Sequence, residues 1–367
     1  MRRLITALTV VLLMSAVVGN AWGVAQYTVT DLGPLAGSDA LGINVSGQVV
    51  GGKDFGPGYH GFLYSGGAMT DLGTLQSDHR YSCATDINDF GQIAGYSMLD
   101  QSPSNTLSQR PVLFSGGTVT SLGSFGGGYG FANGINNSGQ VVGLSIYSSG
   151  VGHAFLYSNA TMTDLGSFGG SFEYSCAYGI NDHTQIVGNS VLNGRDRGFL
   201  WQSGTMIDLG DLVGGSGNTR AYAINNSAHV VGNTWGNDPA NCHAFVWRAG
   251  TMIDLGPGIA EGINDAGVVA GGNADGLFVW DSANGLQNAN DLLDASGAGW
   301  TLHGARDINN LGQIAGWGTN PSGEIRGVLL TPVPEPSTFV LVGTAAAALS
   351  GGLLLRVRLG WLARCSG

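Results

Sequence analysis

Apolar and polar positions change places every few residues along most of this chain. In "HAFLYSNATMTDLG" (153–166) two short runs of β-formers flank a polar "SNA", the pattern of a tight hairpin. In "YGINDHTQIVG" (178–188) two further runs flank a turn containing Asn and Asp, side chains that bond nearby backbone amides. Strict alternation along 153–157 sets His153, Phe155 and Tyr157 on one face and Ala154 and Leu156 on the other.

The second pattern occurs seven times, starting at Ile43, Ile87, Ile135, Ile180, Ile224, Ile263 and Ile308, with successive spacings of 44, 48, 45, 44, 39 and 45 residues. The "HAFLY" type keeps the same beat at 60–64, 110–114, 153–157, 197–201, 243–247, 276–280 and 326–330. So does the "TDLG" type at 30–33, 70–73, 120–123, 163–166, 207–210, 253–256 and, in the form "NDLL", 290–293. Four short strands in each period of 40–50 residues predict the blade of a β-propeller. The repeat is also cut off-phase. "YTVTDLG" (27–33) opens the array with no "HAFLY" strand before it, and the "HAFLY"-type strand "RGVLL" (326–330) closes it. An open solenoid starts and stops on whole units; an offset cut is expected where the two ends share a blade and close a ring. The expectation is an all-β, seven-bladed propeller of four-stranded blades over 26–332, closed by its N- and C-terminal strands.

Composition agrees with this. Gly supplies 64 of 367 residues, more than twice the usual ~7%, as many tight turns require. Residues 26–332 hold 24 acidic and 9 basic residues, a charge of about −15 that argues against nucleic acid or an anionic surface as partner. Three cysteines in that span, Cys83, Cys176 and Cys242, allow one bridge at most and have no zinc spacing. Cys83 and Cys176 stand where other copies have small residues, and read as buried packing groups.

The ends carry addresses. "MRR", an apolar Leu4–Val18 and small residues at 23–25 read as a secretory signal over 1–25, predicting an exported protein. "VPEPST" precedes an apolar run, 339–355, followed by Arg356, Arg358 and Arg364, the order of a membrane-spanning helix with a cytoplasmic basic end. With Pro334, Glu335 and Pro336 as its motif, 333–367 resembles the PEP-CTERM sorting signal of Gram-negative bacteria. That resemblance implies an exosortase-type processing enzyme as partner, transient anchoring in the inner membrane, and then the cell surface or extracellular space. The three repeated motifs resemble the HAF-repeat extracellular proteins across nearly the whole mature chain. That resemblance implies architecture and address rather than a reaction.

Candidate chemistry lies first in the opening position of "HAFLY": His60, Arg110, His153, Arg197, His243, Gly276 and Arg326. Six nitrogen donors at equivalent points predict a circle able to hold an acidic or hydroxyl-rich polymer; the plainer alternative is that each donor bonds its own hairpin. The seven Asn residues (44, 88, 136, 181, 225, 264, 309) and Asp31, Asp71, Asp164, Asp208 and Asp254 read as turn-formers. Calcium is the alternative for those carboxylates, although no EF-hand loop is present. The aromatics Tyr64, Phe114, Tyr157, Trp201, Trp247 and Trp280 read as packing between blades. His183 and Thr184 sit where other copies have turn residues, which removes "NDHT" from catalysis. No nucleophile elbow, zincin or P-loop motif occurs. Glu173, Glu261 and Glu324 are the only glutamates of 26–332, and nothing in the sequence pairs one with a second carboxylate. The reading is a non-catalytic surface or matrix binding protein without cofactor or metal, partnered by extracellular polysaccharide or the envelope. The alternative is a carbohydrate-active lyase or hydrolase on the same scaffold.

Overall fold

A computed structural model describes residues 26–34, 40–56, 58–76, 81–99, 108–170 and 173–333. Residues 27–332 form one unit of seven four-stranded antiparallel sheets. Blade one spans 40–71, blade two 82–121, blade three 126–164, blade four 175–208, blade five 218–257 and blade six 259–288. Blade seven takes Thr301–Ile308, Ile314–Thr319 and Ile325–Pro332 from the C-terminal end of the unit and its outermost strand, Tyr27–Pro34, from the other end. The register sets Val29 opposite Leu330 and Asp31 opposite Val328. The first strands of successive blades contact one another round the full circle, the last returning to the first. The off-phase cut of the repeat is therefore the closing seam, which leaves no inner sheet edge open.

Each "HAFLY" segment is the third strand of its blade, and its alternation sorts side chains between neighbouring blades. Phe155 and Tyr157 pack toward Ala94 of blade two, while Ala154 and Leu156 pack toward Ala177 and Phe199 of blade four. Phe62, Phe155, Phe199, Phe245 and Phe278 are fully buried in this way, each worth roughly 1.5–3 kcal/mol of burial. Phe114 is buried, and Tyr64, Tyr157, Trp201, Trp247 and Trp280 pack against the same interblade clusters. One motif shifts. In blade six the residue opposite Phe278 is Asn288, not a residue of "NDLL". Asn288 accepts from the Asn290 N–H and caps a 3₁₀ turn, Ala289–Leu292, so that segment forms the link to blade seven.

First and third strands run toward one face, where the Asn turns and the "SNA"-type hairpins gather. The opposite face carries the loops between second and third strands and the links between blades. These are called the turn face and the loop face below.

Candidate functional site

The six predicted donors all lie on third strands, outside the channel, and the structure does not bring them together. His60, His153 and His243 each place Nδ1 2.9 Å from the carboxylate of the fourth strand of their own blade, on Asp71, Asp164 and Asp254. Arg197 bonds Asp208 at 3.0 Å and Asp211 at 2.8 Å. Arg326 bonds Glu324 and lies 4.0 Å from Asp31, across the closing seam. Blade two has Ser121, and blade six Asn288, where the other five have Asp, and Arg110 of blade two donates to the Gln109 carbonyl at 3.4 Å. The Asp residues also accept the N–H two positions on, as Asp164 does from Gly166. Burial raises the Asp164 carboxyl, but bonds from His153, Gly166 and Tyr147 outweigh it and hold it below its ordinary value.

The seven Asn residues are Asx turns, as expected, and also something the repeat did not show. Each Oδ1 accepts from backbone N–H groups of its own turn, as Asn181 does from His183 and Gln185. Each Nδ2 reaches the carbonyl of the equivalent Asn in the next blade: Asn44 to Asn88, Asn88 to Asn136, and on to Asn309, which returns to Asn44. The result is a closed ring of buried bonds. His183 and Thr184 are turn residues of it, Thr184 at φ 60°. One position outward, Asp89, Asn137, Asp182, Asn226, Asp265 and Asn310 alternate carboxylate and carboxamide round the channel mouth. Each but Asn310 donates its backbone N–H to the next one's Oδ1. Val45 interrupts this second ring.

Inside the channel the first strands share a bulge. In every blade the pairing with the second strand skips one residue: Leu41, Thr85, Asn133, Tyr178, Tyr222, Glu261 and Arg306. A bulge leaves its extra residue unpaired and re-aims its side chain. All seven line a cavity of about 190 Å³ at the middle of the channel or lie beside it, and all are half-buried. The bulge draws the inner backbone so close to the second strand that a Cβ on Gly188 would collide with the Cys176 carbonyl oxygen. The equivalent carbonyl stands as close in blades two to seven, so Gly95, Gly143, Gly188, Gly232, Gly271 and Gly316 are required there. The signal was present in the sequence. With the copies aligned, Ala three positions before Ile is constant, while the position between it and the Gly, Ala or Asp before Ile differs in nearly every blade.

Apart from Leu41, the bulge residues make one polar, partly aromatic wall. Arg306 donates to both oxygens of Glu261 at 2.8 and 2.7 Å. Asn133 donates to the Ala177 carbonyl at 2.8 Å. Tyr178 and Tyr222 stand 5.4 Å apart, with burial holding both phenols above their ordinary values. The next position is Gly or Ala except in blades two and seven, where it is Asp86 and Asp307. Asp86 accepts from Ile87 of its own strand and from Ile135 of blade three, each at 2.8 Å. Asp307 accepts likewise from Ile308 and from Ile43 of blade one. Protein surrounds both carboxyls while they keep some surface on the channel. Burial, and for Asp86 also the charge of Asp307, raises them to about 7 and about 6.

Cys83 and Cys176 are buried free thiols pushed up to about 12 by desolvation. Among the described residues no group of His, Cys, Asp or Glu is set to hold a metal ion, and no helix is long and apolar enough to cross a membrane. Pro334, Glu335, Pro336, the run 339–355 and the signal over 1–25 lie outside the described residues.

Fold and site together define a closed seven-bladed β-propeller with a clasped turn face and a bulge-lined channel. No family model and no curated protein matches the chain. Among solved structures it is similar to TolB from Acinetobacter baumannii, at 12% identity and TM-score 0.42, over 77% of this chain and 63% of that one. A putative TolB from Agrobacterium tumefaciens has 12% identity and TM-score 0.43, over 85% of this chain and all of that one. A Trypanosoma rangeli sialidase has 10% identity and TM-score 0.41, over 89% of this chain and 58% of that one. The chain thus spans about six-tenths of the first and third, and none of the three bears on what this protein binds.

Proposed function

We propose that this is an exported surface or matrix protein that binds a hydroxyl-rich polymer, with its channel rather than its outer donors as the recognition site. The observation that supports this is the bulge. Seven otherwise repeated blades aim seven mostly different side chains into one cavity, and a recognition site has to be singular where a scaffold is periodic. Amide, hydroxyl, phenol and ion-paired groups in a half-buried wall suit neutral hydroxyls better than a strong charge. The cavity is smaller than ordinary small-molecule pockets, so it accommodates one pendant group of the polymer, with the chain passing across the loop face. Export and sorting, as read from 1–25 and 333–367 with an exosortase-type partner, put the protein where such polymers are.

A carbohydrate-active enzyme is the second reading, favoured by the two raised carboxyls in the channel. Against it, both oxygens of Asp86 and of Asp307 already accept backbone N–H bonds, and Glu261 is paired with Arg306. A glycan array combined with a reducing-end release assay on the exported chain separates the two. Retention without release, lost in Tyr178→Ala and Tyr222→Ala at unchanged melting temperature, supports binding. Release of reducing ends would establish catalysis, and neither retention nor release would end both readings.

A further inference from the structure

The turn face is uneven. Val45, Phe90 and Leu311 are 37%, 76% and 62% exposed, and they stand on the Asn turns of blades one, two and seven. Those turns are bonded side by side through Asn309 to Asn44, Asn44 to Asn88, and the Val45 N–H to Asp89 at 2.9 Å. Blades three, four and five have Ser138, His183 and Ser227 where blades two and seven have Phe90 and Leu311. The hairpins flanking the sector are uncharged, Ser65-Gly66-Gly67 and Ser115-Gly116-Gly117. Its one carboxylate, Asp89, is exposed beside Phe90 and accepts from the Val45 N–H and the Asn137 amide. On a span carrying about −15, an apolar sector almost free of charge is a place where a bilayer can approach without repulsion.

The chain leaves this same face. Pro332 ends the third strand of blade seven, and its ring lies against Gly312, the neighbour of Leu311. From Pro332 to the start of the apolar run at Phe339 is seven residues, at most about 25 Å of extended chain.

We propose that the turn face over blades seven, one and two rests on the lipid bilayer that the run 339–355 enters, with Phe90 and Leu311 in the headgroup layer. The loop face then points away from the membrane and stays open to polymer. This rests on the membrane reading of 339–355 and not on the ligand reading.

The test uses the full chain, with Cys242→Ser and Cys365→Ser, in vesicles of phosphatidylethanolamine and phosphatidylglycerol. A nitroxide is placed by Ser46→Cys, between Phe90 and Leu311, or by Ser227→Cys, the equivalent point of blade five. The expected result is a several-fold lower collision rate with a water-soluble nickel chelate at 46 than at 227. Phe90→Ser with Leu311→Ser should abolish that difference while the chain still floats with the vesicles. Equal collision rates in the parent chain overturn the proposal. Spin–spin broadening at 46 that disappears on dilution with unlabelled protein also overturns it, by identifying a second copy as the occupant. A chain that does not float at all removes the membrane reading itself, a result distinguishable from the other two.

Discussion

The side-chain amide of Asn309 donates to the carbonyl oxygen of Asn44 at 2.8 Å, joining residues 265 positions apart. It is the seventh bond of a ring whose other six link blades adjacent in sequence, so the closing seam is held by the same group that holds every other blade junction. Asp307 to the Ile43 N–H at 3.0 Å and Arg326 near Asp31 reinforce that seam.

Asn309→Asp separates the two duties of this residue. The new carboxylate still accepts from the Leu311 and Gln313 N–H groups, as Asn309 does, but turns an oxygen toward the Asn44 carbonyl and Gln313 Oε1. The expected loss is about 2–4 kcal/mol at pH 7, from the two bonds that the side-chain amide donates, to Asn44 and Gln313, and from a repelled buried charge. It should be smaller at pH 4, where a protonated acid donates again. Guanidinium midpoints at the two pH values measure it, and equal losses would mean that the turn matters and the clasp does not.

Asp86 gives a pH dependence of known sign. Its carboxyl, raised to about 7 by burial and by Asp307, holds a proton more tightly folded than unfolded. Its contribution to stability is therefore full below the ordinary carboxylate range and is lost as pH rises toward 7. Asp86→Asn removes the titration but turns its amide nitrogen toward one of the two backbone N–H donors, Ile87 or Ile135. It should cost about 1–3 kcal/mol at pH 4.5, and that loss should be about 1–2 kcal/mol smaller at pH 8, reduced from the full linkage value because the group keeps some contact with channel water. Denaturation midpoints that show the same loss at both pH values would overturn it.

Gly188→Ala and Gly204→Ala test why glycine is abundant. At Gly188 a Cβ meets the Cys176 carbonyl and Phe199, whereas at Gly204 it meets open space with φ at +84°. The first should cost about 3 kcal/mol or more, the second only the roughly 1 kcal/mol of a left-handed backbone. Thermal melts of the two variants decide.

Arg197→Gln and Arg110→Gln should differ although the two residues hold equivalent positions. Arg197 is buried between Asp208 and Asp211, and losing it strands both carboxylates at a cost of about 1–3 kcal/mol. Arg110, beside Ser121, should be neutral within ~0.5 kcal/mol. If both variants also retain polysaccharide as the parent does, the donor circle is a set of blade-internal contacts and not a site.

The sequence by itself determined the blade. Hairpin chemistry, the beat of three motifs and the off-phase cut are all local or periodic, so Ile43 through Ile308 announce seven units, and "YTVTDLG" with "RGVLL" announces the closure. Turn roles for the Asn residues, His183 and Thr184 were legible for the same reason, since an Asx turn is made within five residues. Only the tertiary structure decided what faces the channel. Simple alternation predicts orientation along the third strand, where pairing is regular. It fails along the first strand, where the bulge inserts one residue and shifts the phase, so that Tyr178, Glu261 and Arg306 turn inward. The ring from Asn309 to Asn44 and the channel carboxyls of Asp86 and Asp307 depend on the angle between sheets, which packing sets between residues far apart in the chain.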